Sequence, residues 1–252
     1  MNARGTRRVA PVLLGLLWLA GTPLAAASRE FLGISETGGH GSAGLSLPLR
    51  IALSLTLLTF LPAVIMALTP FLRISVVLHF LRQALGTQTV PSNQVLVGLA
   101  LFLSLVIMRP VGTEIYETAW KPMEAGQLSA AQAMDKATHP LKKFMARFAR
   151  EKDIALFIEI TKAPQPKNPD DVDFSVLAPA YILSELKSGF QIGAVLYLPF
   201  LVIDLVVASI TVSVGMMQLP PVMLSAPFKL LLFVLVDGWN LIVGSLVKTF
   251  YT

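Results

Sequence analysis

Ionisable side chains set inside apolar sequence are the first candidates for chemistry in this chain. Asp204 follows the run Phe190–Ile203 and precedes Leu205–Phe228, which carries no charge; Lys229 and Asp237 interrupt the apolar stretch beyond it. An unpaired carboxylate in such surroundings is expensive. Asp204 and Asp237 therefore read either as carriers in a proton or ion relay, or as buried structural partners of Arg73, Lys229 or backbone groups. No second ionisable set stands in register with them, which favours the structural reading. If the chain turns near Leu219, the two acids are about equally far from the turn and lie at similar depth. Around that turn Met216, Met217, Gln218 and Met223 flank Pro220 and Pro221. Methionine is flexible and polarizable. Grouped at an apex, these side chains suit a compliant apolar constriction, with plain membrane-helix filler as the alternative.

Enzyme signatures are missing. The sequence contains no H-E-x-x-H, no G-x-x-x-x-G-K-[ST], no strand–G-x-G-x-x-G–helix unit and no G-x-S-x-G. His40, His79 and His139 lie in unrelated contexts, and without cysteine no zinc set can be assembled. The expectation is a protein with no catalytic residue, no metal and no cofactor.

Of 252 residues, 54% are hydrophobic and 14% charged, against about 25% charged in an ordinary soluble domain. This composition points to a membrane protein. The net charge is +5, but Arg4, Arg7 and Arg8 precede the apolar run Val9–Ala20 and the small residues Ala25–Ala27. That order reads as a cleaved signal peptide over residues 1–27, which places the mature N-terminus on the periplasmic side. With those three arginines set aside the charges nearly balance, so nothing points to nucleic acid.

The elements that must position the candidate residues follow from the same patterning. Residues 28–48 are a Gly-rich flexible leader. Residues 49–108 form a first apolar helical hairpin: Ile51–Leu72 is long enough to cross a bilayer, with kinks expected near Pro62 and Pro70. Its second block, Val95–Met108, reaches only about 21 Å, short of the roughly 30 Å hydrocarbon core. Residues 109–174 are a charged insert on the periplasmic side. Within it Leu141, Phe144, Met145 and Phe148 recur at helical spacing, and Ile154, Phe157 and Ile158 continue the pattern. This amphipathic stripe packs either on its own chain or on another subunit. Residues 175–252 form a second apolar hairpin, Leu196–Met217 and Met223–Val247, with the methionine-rich apex between its arms. Gly189 and Gly193 make a G-x-x-x-G that permits close helix approach. Four apolar segments and an outer N-terminus put the loop bearing Arg73 and Arg82 on the cytoplasmic side, as the positive-inside rule asks. The fold class is all-α: kinked helical hairpins with an amphipathic helical insert.

Thr69–Ile74, Leu81–Gly86, Pro179–Tyr181 with Ser184–Leu186, Phe190–Gly193, Leu198–Leu201 with Asp204, Ala226–Lys229 and Phe233–Trp239 resemble the FliP family of flagellar biosynthetic proteins, whose virulence counterparts belong to type III secretion injectisomes. The similarity spans roughly Leu47–Thr252. It implies a core subunit of the flagellar protein export gate, a helical pore-forming oligomer of five copies that assembles with FliQ and FliR beside FlhB and FlhA. Unfolded flagellar subunits would pass through it. It implies location in the bacterial inner membrane and flagellar basal body, with much of the assembly above the bilayer. Met216 and Met217 match the family's methionine gasket, with Gln218 where some relatives have a further methionine. Glu185, Phe144 and Phe157 match intersubunit contacts, and Arg73, Asp204, Lys229 and Asp237 fit buried structural partners. A small-solute secondary transporter of the inner membrane is the alternative; its proline-broken helices are present, but no internal repeat is visible.

Overall fold

The computed structural model describes residues 47–87, 89–166, 171–215 and 220–251. The expected signal peptide (1–27) and all but the end of the 28–48 leader lie outside them. Every regular element among the described residues is helical, so the all-α expectation is met. The chain divides into two units, residues 1–61 and 62–252. The described part of the first is the start of α1 (Leu47–Ala67). There Ser54, Thr56 and Thr59 turn their hydroxyls back onto the carbonyls of Ile51, Ala52 and Leu55, which satisfies these donors within an apolar helix. Leu53, Leu57 and Phe60 are exposed. The helix continues through Pro62 and ends before Pro70, so the second proline marks a break and the first does not.

In the second unit α2 (Phe71–Ala84) starts directly after Pro70. The helix α3 (Asn93–Ile115) runs through Arg109 and Pro110 into a π-helical turn, Tyr116–Trp120, and the short α4 (Lys121–Glu124). The expected short Val95–Met108 block is thus part of a longer helix: a single interior proline costs one hydrogen bond, and the ladder closes on either side of it. The helix α5 (Ala130–Phe148) opens with a capping box between Ser129 and Gln132. After α6 (Glu151–Thr161) the chain turns at Lys162, left-handed at φ 52°. The helix α7 (Phe174–Ser213) is 40 residues long. The helix α8 (Pro221–Leu235) is followed by α9 (Gly238–Lys248), bent from it by 67°. Asn93–Glu124 and Phe174–Ser213 are long and apolar enough to cross a membrane, and up to four segments qualify if each bent helix pair counts as one span.

Packing centres on α7, and its contact with α2 is more extensive than that of any other helix pair. Ile74, Val77, Leu78 and Leu81 form the fully buried stripe of α2, one helical face repeating at three- and four-residue intervals. Gly189 and Gly193, one turn apart on α7, let the two backbones close. A β-carbon at Gly189 would lie 3.1 Å from Val76, and one at Gly193 only 2.5 Å from Phe80. The G-x-x-x-G motif is therefore a packing site within the chain. The helix α8 runs antiparallel to α7, with Phe200 and Phe233 6.5 Å apart between ring centroids. Gly238, at the start of α9, sits against the Phe233 ring. We expect Gly193→Leu to wedge α2 away from α7 at a cost of about 1–3 kcal/mol. Thermal unfolding in mild detergent should register that loss, while Gly98→Leu, whose glycine faces open space, should melt like wild type.

Candidate functional site

The close approach of α2 and α7 has a charged consequence. Arg73, on the first turn of α2, donates from Nε to Glu185 Oε2 at 2.9 Å and from Nη2 to Oε1 at 2.5 Å. The residues are 5% and 0% exposed, so both charges are out of water. The guanidinium also donates to Thr249 Oγ1 at 3.2 Å and lies over the rings of Phe250 (4.1 Å) and Phe148 (5.5 Å). One ion pair thereby joins α2, α5, α7 and the residues after α9. A bidentate pair that is desolvated on all sides is the geometry in which Arg outperforms Lys. Arg73 is thus closed inside the chain. The Glu185 carboxylate is closed on Arg73 inside its own chain. Next to it the Tyr181 hydroxyl is buried with no hydrogen-bond partner among the described residues.

A second buried set lies higher on α7. Lys229 of α8, 1% exposed, donates to Asp204 Oδ2 at 2.6 Å, and Ser225 donates to the other carboxylate oxygen. The sequence supports pairing of Asp204 with either cation, and the hairpin register selects Lys229. Asp237 stands apart from that pair. It lies about two turns below Lys229, at the α8–α9 break with φ 50°, and is exposed with no side-chain partner among the described residues. Asp204 is level with Lys229 and not with Asp237, so the two acids do not share a depth, and α8 breaks where continuous helix to Val247 was expected.

Above the Asp204–Lys229 pair the hairpin tip is uncharged. Val212, Val214, Val222 and Met223 are all at least half exposed, Met223 at 73%. Met216, Met217 and Gln218 lie outside the described residues.

The insert is held on the lower half of α7. Phe144 packs edge-to-face on Tyr181 at 6.1 Å and against Phe148 at 5.0 Å, while Met145 is fully buried beside them. Phe157 joins the same cluster, half-buried. The amphipathic stripe therefore packs on its own chain. A polar network that the sequence reading missed reinforces it. Asp153 of α6, 1% exposed, accepts hydrogen bonds from Lys187 and from Ser184 Oγ at 2.7 Å. Arg150 donates to Ser184, Ser188 and Gln191. Ser184, Lys187, Ser188 and Gln191 repeat at helical spacing on an otherwise apolar helix, and that polar stripe was the available signal. Burial opposes ionisation of Asp153, but the bonds from Lys187 and Ser184, with the charges of Lys187 and Arg150, outweigh it and hold the carboxyl below its ordinary range. No group of acidic or histidine side chains able to hold a metal occurs among the described residues.

Comparison with known proteins is consistent along the chain. Residues 54–246 match the model of the FliP family. The chain is 48% identical over 222 residues to the "Flagellar biosynthetic protein FliP" of Bacillus subtilis (strain 168), covering 88% of this chain and all of that one. It is 47% identical over 213 residues to the protein of the same name from Pectobacterium carotovorum subsp. carotovorum, covering 84% of this chain and 83% of that protein. With the Treponema pallidum (strain Nichols) protein of that name it shares 49% identity over 203 residues, 80% of this chain and 75% of the relative.

Two expected outcomes test this geometry. Arg73→Leu should strand the buried Glu185 carboxylate and cost about 3–5 kcal/mol, and adding Glu185→Leu should recover most of that loss. Protease resistance and thermal melting of the purified proteins check both. Asp153 is depressed in the folded state, so its stabilisation is complete above the unfolded carboxyl pKa of about 4 and disappears as pH falls through the lower folded value. Asp153→Asn should therefore melt below wild type at pH 7, and the gap should narrow as the pH is taken below about 4.

Proposed function

The chain belongs to the FliP family, and on that premise we propose that it is a core subunit of the flagellar type III export gate, forming with copies of itself the channel for unfolded flagellar subunits. It acts as a structural subunit and not as an enzyme. The observation that carries the reading is the distal hairpin. From residue 194 to residue 235 its charges are Asp204 and Lys229 alone, and these neutralise each other inside it. The tip is left uncharged and rich in methionine and valine in sequence, and Val212, Val214, Val222 and Met223 at its described ends are exposed. A ring of such tips would make a soft apolar constriction: thioether side chains adapt to varied surfaces, and a narrow apolar collar blocks ions by dewetting. Met216, Met217, Gln218 and Met223 are the residues we assign to it. Gln218 adds one polar group to that collar and loosens its exclusion of water.

The same premise supports residence in the inner membrane and flagellar basal body, with the 109–174 insert and the mature N-terminus on the periplasmic side. It also supports FliQ, FliR, FlhB and FlhA as neighbours. The insert then serves as a collar clamped to α7 through Phe144, Phe157 and Asp153. Outward apolar side chains of α6, Leu156 and Ile160 at 42% and 64% exposure, stand ready for adjacent subunits.

Single-channel recording of assemblies carrying Met216→Ala and Met217→Ala tests the constriction. We expect a marked rise in ion leak with export of flagellar subunits partly retained. Unchanged conductance would remove the methionines from the gate.

A further inference from the structure

Arg82 and Asp237 make no side-chain hydrogen bond or ion pair among the described residues, although each is set in apolar surroundings. Arg82, half-buried near the end of α2, makes no side-chain hydrogen bond or ion pair. It lines an open groove of about 280 Å³ between α2 and α7, together with Ser75, His79, Phe80, Gln83 and Phe190. The His79 ring is engaged elsewhere, with the Ser75 carbonyl at 2.8 Å and Asn93 at 2.9 Å. The groove therefore presents one free cation above an apolar floor. Asp237 is the complementary feature. It projects from the α8–α9 corner amid exposed Leu235, Val236, Trp239 and Leu241. A carboxylate set in an apolar patch is costly in lipid or in a dry interface unless a cation meets it.

The two features also share a height. Phe80 packs on Gly193 of α7, and Arg82 lies two residues further along a helix parallel to it. Phe233 packs on Phe200, and Asp237 lies four residues further on a helix running the opposite way. Both fall level with about residue 196 of α7, to within about one turn. Yet they do not meet within the chain. Complementary charges at one height that do not meet within one copy can meet between copies in a head-to-tail contact, the kind that closes into a ring or winds into a helix.

We infer that the groove between α2 and α7 receives the α8–α9 corner of a second copy of this chain, with Asp237 of that copy closing on Arg82 and Trp239 lying over Phe80 and Phe190. The inference rests on the homo-oligomer reading and specifies its contact. An open groove that binds lipid, or a different protein at the Asp237 corner, would be the competing outcomes.

The chain has no cysteine, which makes disulfide trapping clean. The assembled protein in mild detergent, carrying Arg82→Cys and Asp237→Cys together, should on mild oxidation give a ladder of covalent multimers on a denaturing gel, and neither single variant should. Charge reversal is the second arm. Arg82→Glu or Asp237→Arg alone should lower the assembled fraction about tenfold, and the two together should restore it. Native mass spectrometry of the unmodified protein separates the failures. Multimers that form no ladder, and whose copy number ignores the reversals, overturn this contact and leave the oligomer standing. Disulfides confined to one chain, or dimers from a single-cysteine variant, also overturn the contact. A strictly monomeric protein removes the oligomer reading and the contact together.

Discussion

The buried pair between Arg73 and Glu185 is the constraint from which the rest of the second unit follows. Apolar helices on apolar helices have many nearly equivalent registers, because one leucine substitutes for another with little loss. A bidentate ion pair out of water has one. Sliding α2 along α7 by a single turn would leave a guanidinium and a carboxylate each buried alone, a penalty larger than any gain from repacking. The pair can close only because Gly189 and Gly193 bring the backbones together, and it stays dry because Phe148 and Phe250 cover the guanidinium. The glycines, the ions and the aromatic lid are thus one device. It also draws the insert and the C-terminal residues into the register of α2 and α7.

The same logic divides α7 by function. Forty residues of helix extend about 60 Å, twice the hydrocarbon thickness of a bilayer. The lower half carries Ser184, Glu185, Lys187, Ser188 and Gln191, and each except Lys187 has its partner on α2 or at the entry to α6 as a direct protein contact that replaces water; Lys187 reaches Asp153 from a half-exposed position. The upper half has one charge, and that charge is neutralised by Lys229. A helix with this distribution is half a protein-core element and half an element suited to lipid or to apolar neighbours. Composition averaged over the whole segment conceals the difference.

Much of this was legible in the sequence. The all-helical class and the amphipathic stripe from Leu141 to Phe148 both follow from periodicity and from where charges are allowed. The G-x-x-x-G spacing pointed to close approach, although only the structure supplied Val76 and Phe80 as the opposing surface. What escaped was long-range pairing. Nothing local distinguishes Lys229 from Arg73 as the partner of Asp204, because the choice depends on where the hairpin turns, and a shift of three residues at the apex moves every cross-pair. Glu185 escaped for a related reason: its partner is 112 positions away. Asp237 was misplaced because an apolar run with one interior acid reads as continuous helix. Asp tolerates the left-handed conformation better than most residues, and the chain used that tolerance to break.

The pattern of closed and open charges states what kind of object the chain is. Arg73 with Glu185, Asp153 with Lys187, and Asp204 with Lys229 are satisfied internally, so the helices have a defined arrangement in a single copy. The outer faces of α7 and α8 nevertheless expose Val195, Leu198, Leu205, Val206, Leu231 and Val234, far more apolar surface than a free soluble chain sustains. Lipid can cover those side chains, but lipid tails offer nothing to Arg82 or Asp237. Two unmet charges at one height therefore argue that at least part of the apolar exterior is matched by protein, and that the helices are arranged in one copy so that their remaining charges meet in the next.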